Sequence, residues 1–332
     1  MILRLGVLSR RVLRVSLRNG SGCLVIAAAV MSAPMARAAD TFINVLTGAT
    51  SGVYYPLGEA LAGAIGKAMP AVKTSVQATK GSVENLNLLQ AGRGEIAFTL
   101  GDSLSAAWKG NEDAGFKTPL RKLRGIAAIY PNYIQIVARA DSGIKTLADL
   151  KGKKISVGTP KSGIELNART IFAAAGITYK DFAKVEYLPF GESVELIKNR
   201  QLDATLQSAV LGVSAVRDLA TSVDMVVVPI PADVIRKTND PAYLPATIRA
   251  NTYRGQTADV QTAAVRNYLV THEGVSNDIV YGMTKVFWTN LDLLVAAHAA
   301  AKAIDPRHAL DDMLVPMHPG AERYYREVGV MK

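Results

Sequence analysis

The sequence has one cysteine in 332 residues, which excludes a disulfide framework and any metal or redox site built from paired cysteines. Its four histidines, at 272, 298, 308 and 318, are scattered without the spacing that metal ligands show. Aromatic residues make up only 6%, and no basic block follows the N-terminal region. Nucleic acid is therefore not expected as a partner, despite a formal charge of +10.

The signatures of common enzymes and nucleotide-binding proteins are also missing. After residue 38 there is no GxSxG nucleophile motif, and no GxGxxG or GxxxxGK[ST] phosphate loop occurs. Ser142 and Lys145 match SxxK by letter, but no KTG accompanies them and a turn explains the spacing better. The sequence therefore predicts no enzyme activity, no catalytic residue, no cofactor and no metal site.

The N-terminal region has the features of an export signal. Residues 1–19 contain five arginines and no acid, an apolar run covers 23–31, and Ala36-Arg37-Ala38 places small residues where a signal peptidase reads them. The apolar run is too short to span a bilayer of ~30 Å. We expect cleavage after Ala38 and a periplasmic protein, with either general or twin-arginine export, since Ser9-Arg10-Arg11 fits the twin-arginine pattern only loosely.

Removal of residues 1–38 changes the charge balance. The segment carries six arginines and no acid, so the +10 of the whole chain falls to +4 for the remaining 294 residues, which contain no cysteine. A composition with 49% apolar and 20% charged residues is that of an ordinary globular protein.

The remaining chain alternates between strand and helix patterns, which predicts an α/β fold with a largely parallel sheet. In the first half, strands are predicted at 41–47, 74–77, 96–100, 124–130 and 133–139, the last two separated by Pro131-Asn132. A second set begins near 140, with strands at 154–157, 185–188, 204–206 and 225–230. From 259 onward the pattern predicts helices only, with Ser276 as an N-cap.

Each half of the chain has a Gly/Ser/Thr-rich loop directly before a helix, at 48–52 and at 158–163. The first turn of a helix has N–H groups without intrahelical partners and carries the positive end of the helix dipole, so it binds carboxylate or phosphate. A single such loop is most simply a capped turn. Two of them, one in each lobe of an exported protein, favour a cleft that holds a small anion.

Four segments carry a resemblance to a known family. Residues 46–56 (LTGATSGVYYP), 77–85 (QATKGSVEN), 255–260 (GQTADV) and 318–325 (HPGAERYY) resemble, in family order, the TAXI receptors of TRAP transporters. The resemblance implies a type II periplasmic-binding-protein fold, with two α/β lobes, an interlobe ligand cleft and a C-terminal helical segment. It places lobe I at 39–133 plus 247–332 and lobe II at 134–246. It also implies membrane-embedded TRAP permease subunits as partners, driven by an ion gradient.

The resemblance further implies a set of ligand-binding residues. These come from two loops of lobe I, the crossover between the lobes, and the helix start and a strand of lobe II: Ser51, Gly52, Tyr54, Tyr55, Thr79, Ser82, Asn85, Tyr130, Tyr133, Thr159, Ser162, Gly163 and Gln207. Adjacent residues face different ways, so one of the two neighbouring tyrosines is expected in the core. The implied ligand is a small organic anion or an amino acid, of the glutamate, glutamine or 2-oxo dicarboxylate class.

Two lysines depart from the family pattern. Lys80 and Lys161 stand in glycine-rich loops where the family commonly has a small residue, and either would bring positive charge to the cleft mouth or point into solvent. Two other functions remain open at this point. A receptor that feeds a signalling kinase would have the same pocket, and an exported enzyme on this fold would convert the bound compound.

Overall fold

The structure is a computed structural model that describes residues 41–332, so the predicted signal peptide and its cleavage after Ala38 lie outside the described residues. Within that range the strands are β1 Thr41–Leu46, β2 Val72–Gln77, β3 Ile96–Leu100, β4 Leu123–Arg139, β5 Lys154–Ser156, β6 Lys184–Glu186, β7 Ala204–Ala209, β8 Met225–Val228, β9 Leu244–Ile248 and β10 Val260–His272. The α-helices are α1 Tyr54–Ala68, α2 Ser82–Gln90, α3 Gly101–Lys109, α4 Gly163–Ala174, α5 Phe190–Lys198, α6 Ser214–Ser222, α7 Ala232–Lys237, α8 Asn277–Thr289, α9 Leu291–Ala297 and α10 Pro319–Glu327.

The strands form one mixed sheet in the order β2-β1-β3-β10-β4-β7-β5-β6, with β8 beside β4 and β9 beside β10. Strand β1 pairs in parallel with β2 and β3, and β5 pairs in parallel with β6 and β7. Each pairing of β4 or β10 with another of the ten strands is antiparallel. The prediction of a largely parallel sheet was therefore wrong, because two long strands run against their neighbours through the middle of the sheet.

Strand β4 corrects a second expectation. Instead of two strands on either side of Pro131-Asn132, one strand of 17 residues passes through both. Proline has no N–H for the sheet ladder and is tolerated where the ladder is irregular. Pro131 pairs with Arg266 of β10, and the register of the pairing shifts directly after Arg266.

Strand β10 corrects the expectation that only helices follow residue 259. Nine of its 13 residues are buried, on both faces of the sheet, so the sequence shows no alternation of polar and apolar residues. Periodicity alone does not separate such a strand from a buried helix. Helices do dominate from Asn277 onward, and Ser276 caps α8 as predicted, with its Oγ accepting from the N–H of Ile279 at 3.4 Å.

The helical periodicity is confirmed where it was strongest. In α1, Leu57, Leu61 and Ile65 are buried against the sheet, as their spacing predicts. Helix α4 begins at Gly163, directly after the predicted loop, and Ser162 caps it by accepting from the N–H of Glu165 at 3.1 Å. Both glycine-containing loops therefore do precede helices.

Successive parts of the two long strands, β4 and β10, contribute to different apolar cores. Ile129 and Tyr130 of β4 pack with α1 and α8, whereas Ile134 and Ile136 pack with α4 and β7. Strands β4 and β10 thus pass from one α/β lobe to the other. The described residues 41–332 lie in one compact unit, and the predicted lobe limits at 133/134 and 246/247 stay a prediction. Among residues 41–332, no helix has the length and apolar character needed to cross a bilayer.

Candidate functional site

A cavity of about 80 Å³ lies between the two lobes, where β4 passes from one to the other. Its wall combines the loop after β1 and the start of α2 with the loop before α4, the start of α5 and the end of β7. Asn132 of β4 also lies on the wall. Both glycine-containing loops that the sequence singled out therefore face the same cavity.

Seven of the thirteen residues implied by the resemblance line this cavity. They come from both lobes and are Ser51, Gly52, Tyr54, Ser82, Thr159, Ser162 and Gly163. Their role as ligand contacts stays a prediction. Three wall residues that the sequence reasoning did not assign as ligand contacts are Lys80, Asn132 and Ser208.

Thr79 and Asn85 lie behind the wall and hold its loops in place. Asn85 donates through Nδ2 to the carbonyl oxygens of Thr47 and Phe98, at 2.7 and 2.9 Å. Thr79 Oγ1 lies 2.7 Å from Asn85 Oδ1 and accepts from the N–H of Gly81 at 3.0 Å. The structure gives these two side chains a positioning role for the two loops of lobe I.

The neighbouring tyrosines Tyr54 and Tyr55 face different ways, as expected. The ring of Tyr54 lines the cavity and stacks on Phe98 with the ring centroids 5.2 Å apart. Tyr55 is half-exposed instead of lying in the core, and the charge of Glu59, one helical turn later, raises the pKa of its hydroxyl. Tyr55 therefore lies away from the cavity.

The predicted residues of β4 and β7 lie off the wall, although neighbouring residues of the same two strands line it. Gln207 is fully buried and lies off the wall, whereas Ser208 and Ala209, the last two residues of β7, line the cavity. On β4, Asn132 lies on the wall, its neighbour Tyr133 is half-buried off the wall, and Tyr130, two residues before Asn132, is fully buried in the apolar core.

A chain of hydrogen bonds links the wall to both long strands. The hydroxyl of Tyr54 donates to Asn267 Oδ1 at 2.5 Å, and Asn267 Nδ2 donates to Asn132 Oδ1 at 3.0 Å. Asn132 Nδ2 then donates to the carbonyl oxygen of Ser208 at 2.9 Å. This chain of hydrogen bonds runs from α1 through β10 and β4 to β7, so it links side chains of the first three elements to the backbone of β7 in the other lobe.

The lobes also touch at the edge of the cavity. Thr159 Oγ1 donates to the carbonyl oxygen of Lys80 at 3.2 Å, and the N–H of Glu84 donates to the carbonyl oxygen of Lys161 at 3.2 Å. Lys161 has a φ of 63°, in the left-handed region that a residue with a side chain rarely adopts. The two hydrogen bonds between the lobes bridge the edge of the cleft, so the cleft is closed in this structure.

One buried carboxylate joins the lobes behind the cavity. Asp102, at the start of α3, accepts from Asn167 Nδ2 and from the hydroxyl of Tyr243, each at 2.7 Å, and from the N–H of Ser103 at 2.7 Å. Burial raises the pKa of Asp102 to about 7, against the effect of these hydrogen bonds. Its charge contributes to the raised pKa of Tyr54, so it lies near the wall.

The titratable groups offer little for a metal. Within residues 41–332, no group of three or more His, Cys, Asp or Glu side chains is arranged to hold a metal ion. His318, at the start of α10, accepts through Nδ1 from the N–H of Gly320 at 3.1 Å, and burial lowers its pKa. It serves as a helix cap.

Comparison with known proteins places the chain in a family. The family model described as the NMT1-like family matches residues 45–329. The chain belongs to the NMT1-like family.

Solved structures show the same two-lobe α/β fold as this NMT1-like protein. PhnD1 from Prochlorococcus marinus (MIT 9301), in complex with methylphosphonate, is 13% identical with a TM-score of 0.55, over 88% of this chain and 100% of that one. XAC2383 from Xanthomonas citri, bound to ATP, is 13% identical with a TM-score of 0.51, over 87% and 97% of the two chains. A Bordetella bronchiseptica RB50 protein is also 13% identical, with a TM-score of 0.50, over 87% and 98%. The two-lobe fold of periplasmic binding proteins is thereby confirmed.

Proposed function

We propose that this chain is an extracytoplasmic solute-binding receptor of a secondary transporter, which captures a small organic solute in the interlobe cavity. One observation carries the proposal. The cavity is enclosed by loops of both lobes, and these loops contact each other through Thr159 and the carbonyl oxygen of Lys80. A solute held there contacts both lobes at once, so its binding favours the closed form.

The transporter type in this proposal is the TRAP type, with membrane-embedded permease subunits as partners and an ion gradient as the energy source. Its support is the set of sequence segments that resemble TAXI receptors, two of which, 46–56 and 77–85, contribute residues to the cavity wall. The protein is proposed to act in the periplasm after cleavage behind Ala38. N-terminal sequencing of the periplasmic protein tests that cleavage.

A binding experiment tests the receptor function. The natively purified protein is partly unfolded and refolded to remove co-purified compounds, then screened by thermal shift against carboxylates, amino acids, sugars and amines. A ligand that binds only the folded state raises the melting temperature once its concentration passes the Kd. Chemical analysis of the compound afterwards separates a receptor, which returns it unchanged, from an enzyme.

A transport experiment tests the TRAP assignment separately. The purified receptor is added to proteoliposomes that contain the candidate permease, and uptake of the bound compound is followed. Uptake that needs a sodium or proton gradient and no ATP supports the TRAP proposal. Uptake that requires ATP hydrolysis contradicts it and leaves the receptor function intact.

A further inference from the structure

Four helices begin with a residue on the cavity wall. Among the described residues these are α1 at Tyr54, α2 at Ser82, α4 at Gly163 and α5 at Phe190. Each helix start presents N–H groups without intrahelical acceptors and the positive end of a helix dipole. Four such starts on the wall of one small volume make its potential more positive.

An unpartnered buried hydroxyl gives a second, independent indication of a ligand. Ser208 is 3% exposed and lies on the cavity wall, and within the described part of the chain its Oγ has no hydrogen-bond partner. A buried polar group without a partner is costly for a folded protein, and such groups are usually satisfied. A ligand oxygen in the cavity is a suitable partner for this hydroxyl.

The wall offers no counter-charge for a cation. No aspartate or glutamate is among the described residues that line the cavity, and the charged side chain on it is Lys80. The nearby Asp102 already accepts hydrogen bonds from three residues, Ser103, Asn167 and Tyr243. A buried ammonium group needs a paired charge, so an α-amino group has no place in this site.

The rest of the wall is apolar. Leu100 and Ile164 lie beside the starts of α3 and α4, and Leu188, Pro189 and Phe190 lead into α5. This part of the wall can contact the hydrocarbon portion of a ligand. It has no charged partner for a second carboxylate among the described residues, and burial of an unpaired carboxylate is unfavourable.

Resting on the proposed function, we propose that the solute is a small organic monoanion, with one oxyanion group, an apolar body and no ammonium group. The oxyanion lies among the starts of α1, α2 and α4 and accepts a hydrogen bond from the hydroxyl of Ser208. This excludes glutamate and glutamine, and also dicarboxylates, from the solutes that the family resemblance implied.

Matched compounds test the proposal by calorimetric titration of the refolded protein. Butyrate is compared with 2-aminobutyrate, which adds an ammonium group, and with succinate, which adds a carboxylate. Straight-chain acids of three to six carbons vary the apolar body, and propanesulfonate and propylphosphonate vary the oxyanion. The expected result is binding of at least one monoanion, with a Kd at least tenfold below those of its ammonium and dicarboxylate analogues.

Two serine variants supply a second readout. Ser208→Ala should raise the Kd of the best monoanion about tenfold and leave the melting temperature of the free protein unchanged, because the hydroxyl has no hydrogen-bond partner among residues 41–332. Ser156→Ala is the matched control, since Ser156 is also buried but its Oγ lies 2.7 Å from Ser193 Oγ, away from the cavity wall. It should lower the melting temperature and leave the affinity unchanged.

The outcomes separate this inference from the receptor function. Equal or tighter binding of 2-aminobutyrate or succinate, or unchanged affinity in Ser208→Ala, overturns the inference and leaves a receptor. The inference is also overturned, and the receptor function kept, if no monoanion binds while an amino acid, sugar or amine raises the melting temperature. Failure of all compounds overturns both the inference and the proposed function.

Discussion

Asp102 provides the sharpest test of the energetics at the lobe interface. Burial raises its pKa from 3.8 to about 7 in the folded protein. Between these two values the folded protein binds more protons than the unfolded chain, so the free energy of unfolding falls as pH rises. At about 1.4 kcal/mol for each unit of pKa, the shift corresponds to about 4 kcal/mol of the free energy of unfolding. This contribution is fully present below pH 4, where the carboxyl is protonated in both states, and is lost by about pH 7.

Other groups titrate in the same range, so a variant is needed to isolate this carboxylate. Burial lowers the pKa of His272, His298 and His318, and these side chains make stability rise with pH as they lose their protons. Asp102→Asn retains the size of the side chain and an oxygen that accepts from Asn167 and Tyr243. The difference in stability between wild type and variant removes the histidine contribution.

The assay is urea unfolding followed by circular dichroism at pH values from 4.5 to 8. The free energy of unfolding of wild type minus that of Asp102→Asn should fall by several kcal/mol over this range. Asp292→Asn, on the exposed surface of α9, controls for removal of a carboxylate elsewhere. A difference that is independent of pH, or that rises with pH, would refute the account of Asp102 as a buried carboxylate that resists ionisation.

Three further predictions concern the cavity and its ligand. Lys80→Ala should raise the Kd of an anionic ligand up to about fivefold, and by less at high salt because the side chain is exposed. Lys161→Ala, off the cavity wall, should leave the Kd unchanged, and titration at two ionic strengths measures both variants. Gly163→Ala should raise the Kd by holding the cleft open, because the added Cβ would lie 2.7 Å from Ser82 Oγ and 2.8 Å from Leu100 Cδ1. Gly191→Ala is the control, since its Cβ would meet no described atom within 4 Å, and it should leave the Kd unchanged. Small-angle scattering with and without ligand would show whether closure is lost. Affinity for an anion should fall as pH rises through about 7 in wild type and not in Asp102→Asn, because ionised Asp102 repels it; titrations at pH 6 and 8 measure this.

Part of the fold could be predicted from local patterns. The spacing of Leu57, Leu61 and Ile65 predicts the buried face of α1, and the loop that ends in Ser162 predicts the start of α4. These features depend on neighbours within a few residues, so they can be read along the chain. Strand β10 could not be predicted, because its residues are buried on both faces by elements far away in sequence.

The same distinction applies to the site. The glycine-containing loops could be assigned to a binding cleft, and the structure places both on one cavity. The sequence assigned Gln207 of β7, whereas Ser208 lines the cavity, because the face that a strand residue occupies depends on the register of β7 against β4. The burial of Asp102 could not be predicted from the neighbouring sequence, because its hydrogen-bond partners Asn167 and Tyr243 lie 65 and 141 residues away along the chain.

The sequence by itself determined the alternation of strands and helices, the two loops that start helices, and the scarcity of groups for covalent or metal chemistry. Local hydrogen bonding and side-chain periodicity are enough for these features. Only the tertiary structure decided that β4 runs unbroken through Pro131, that helix starts from both lobes meet at one cavity, and that no carboxylate within residues 41–332 lines it. These depend on long-range strand pairing, which fixes which distant residues face each other.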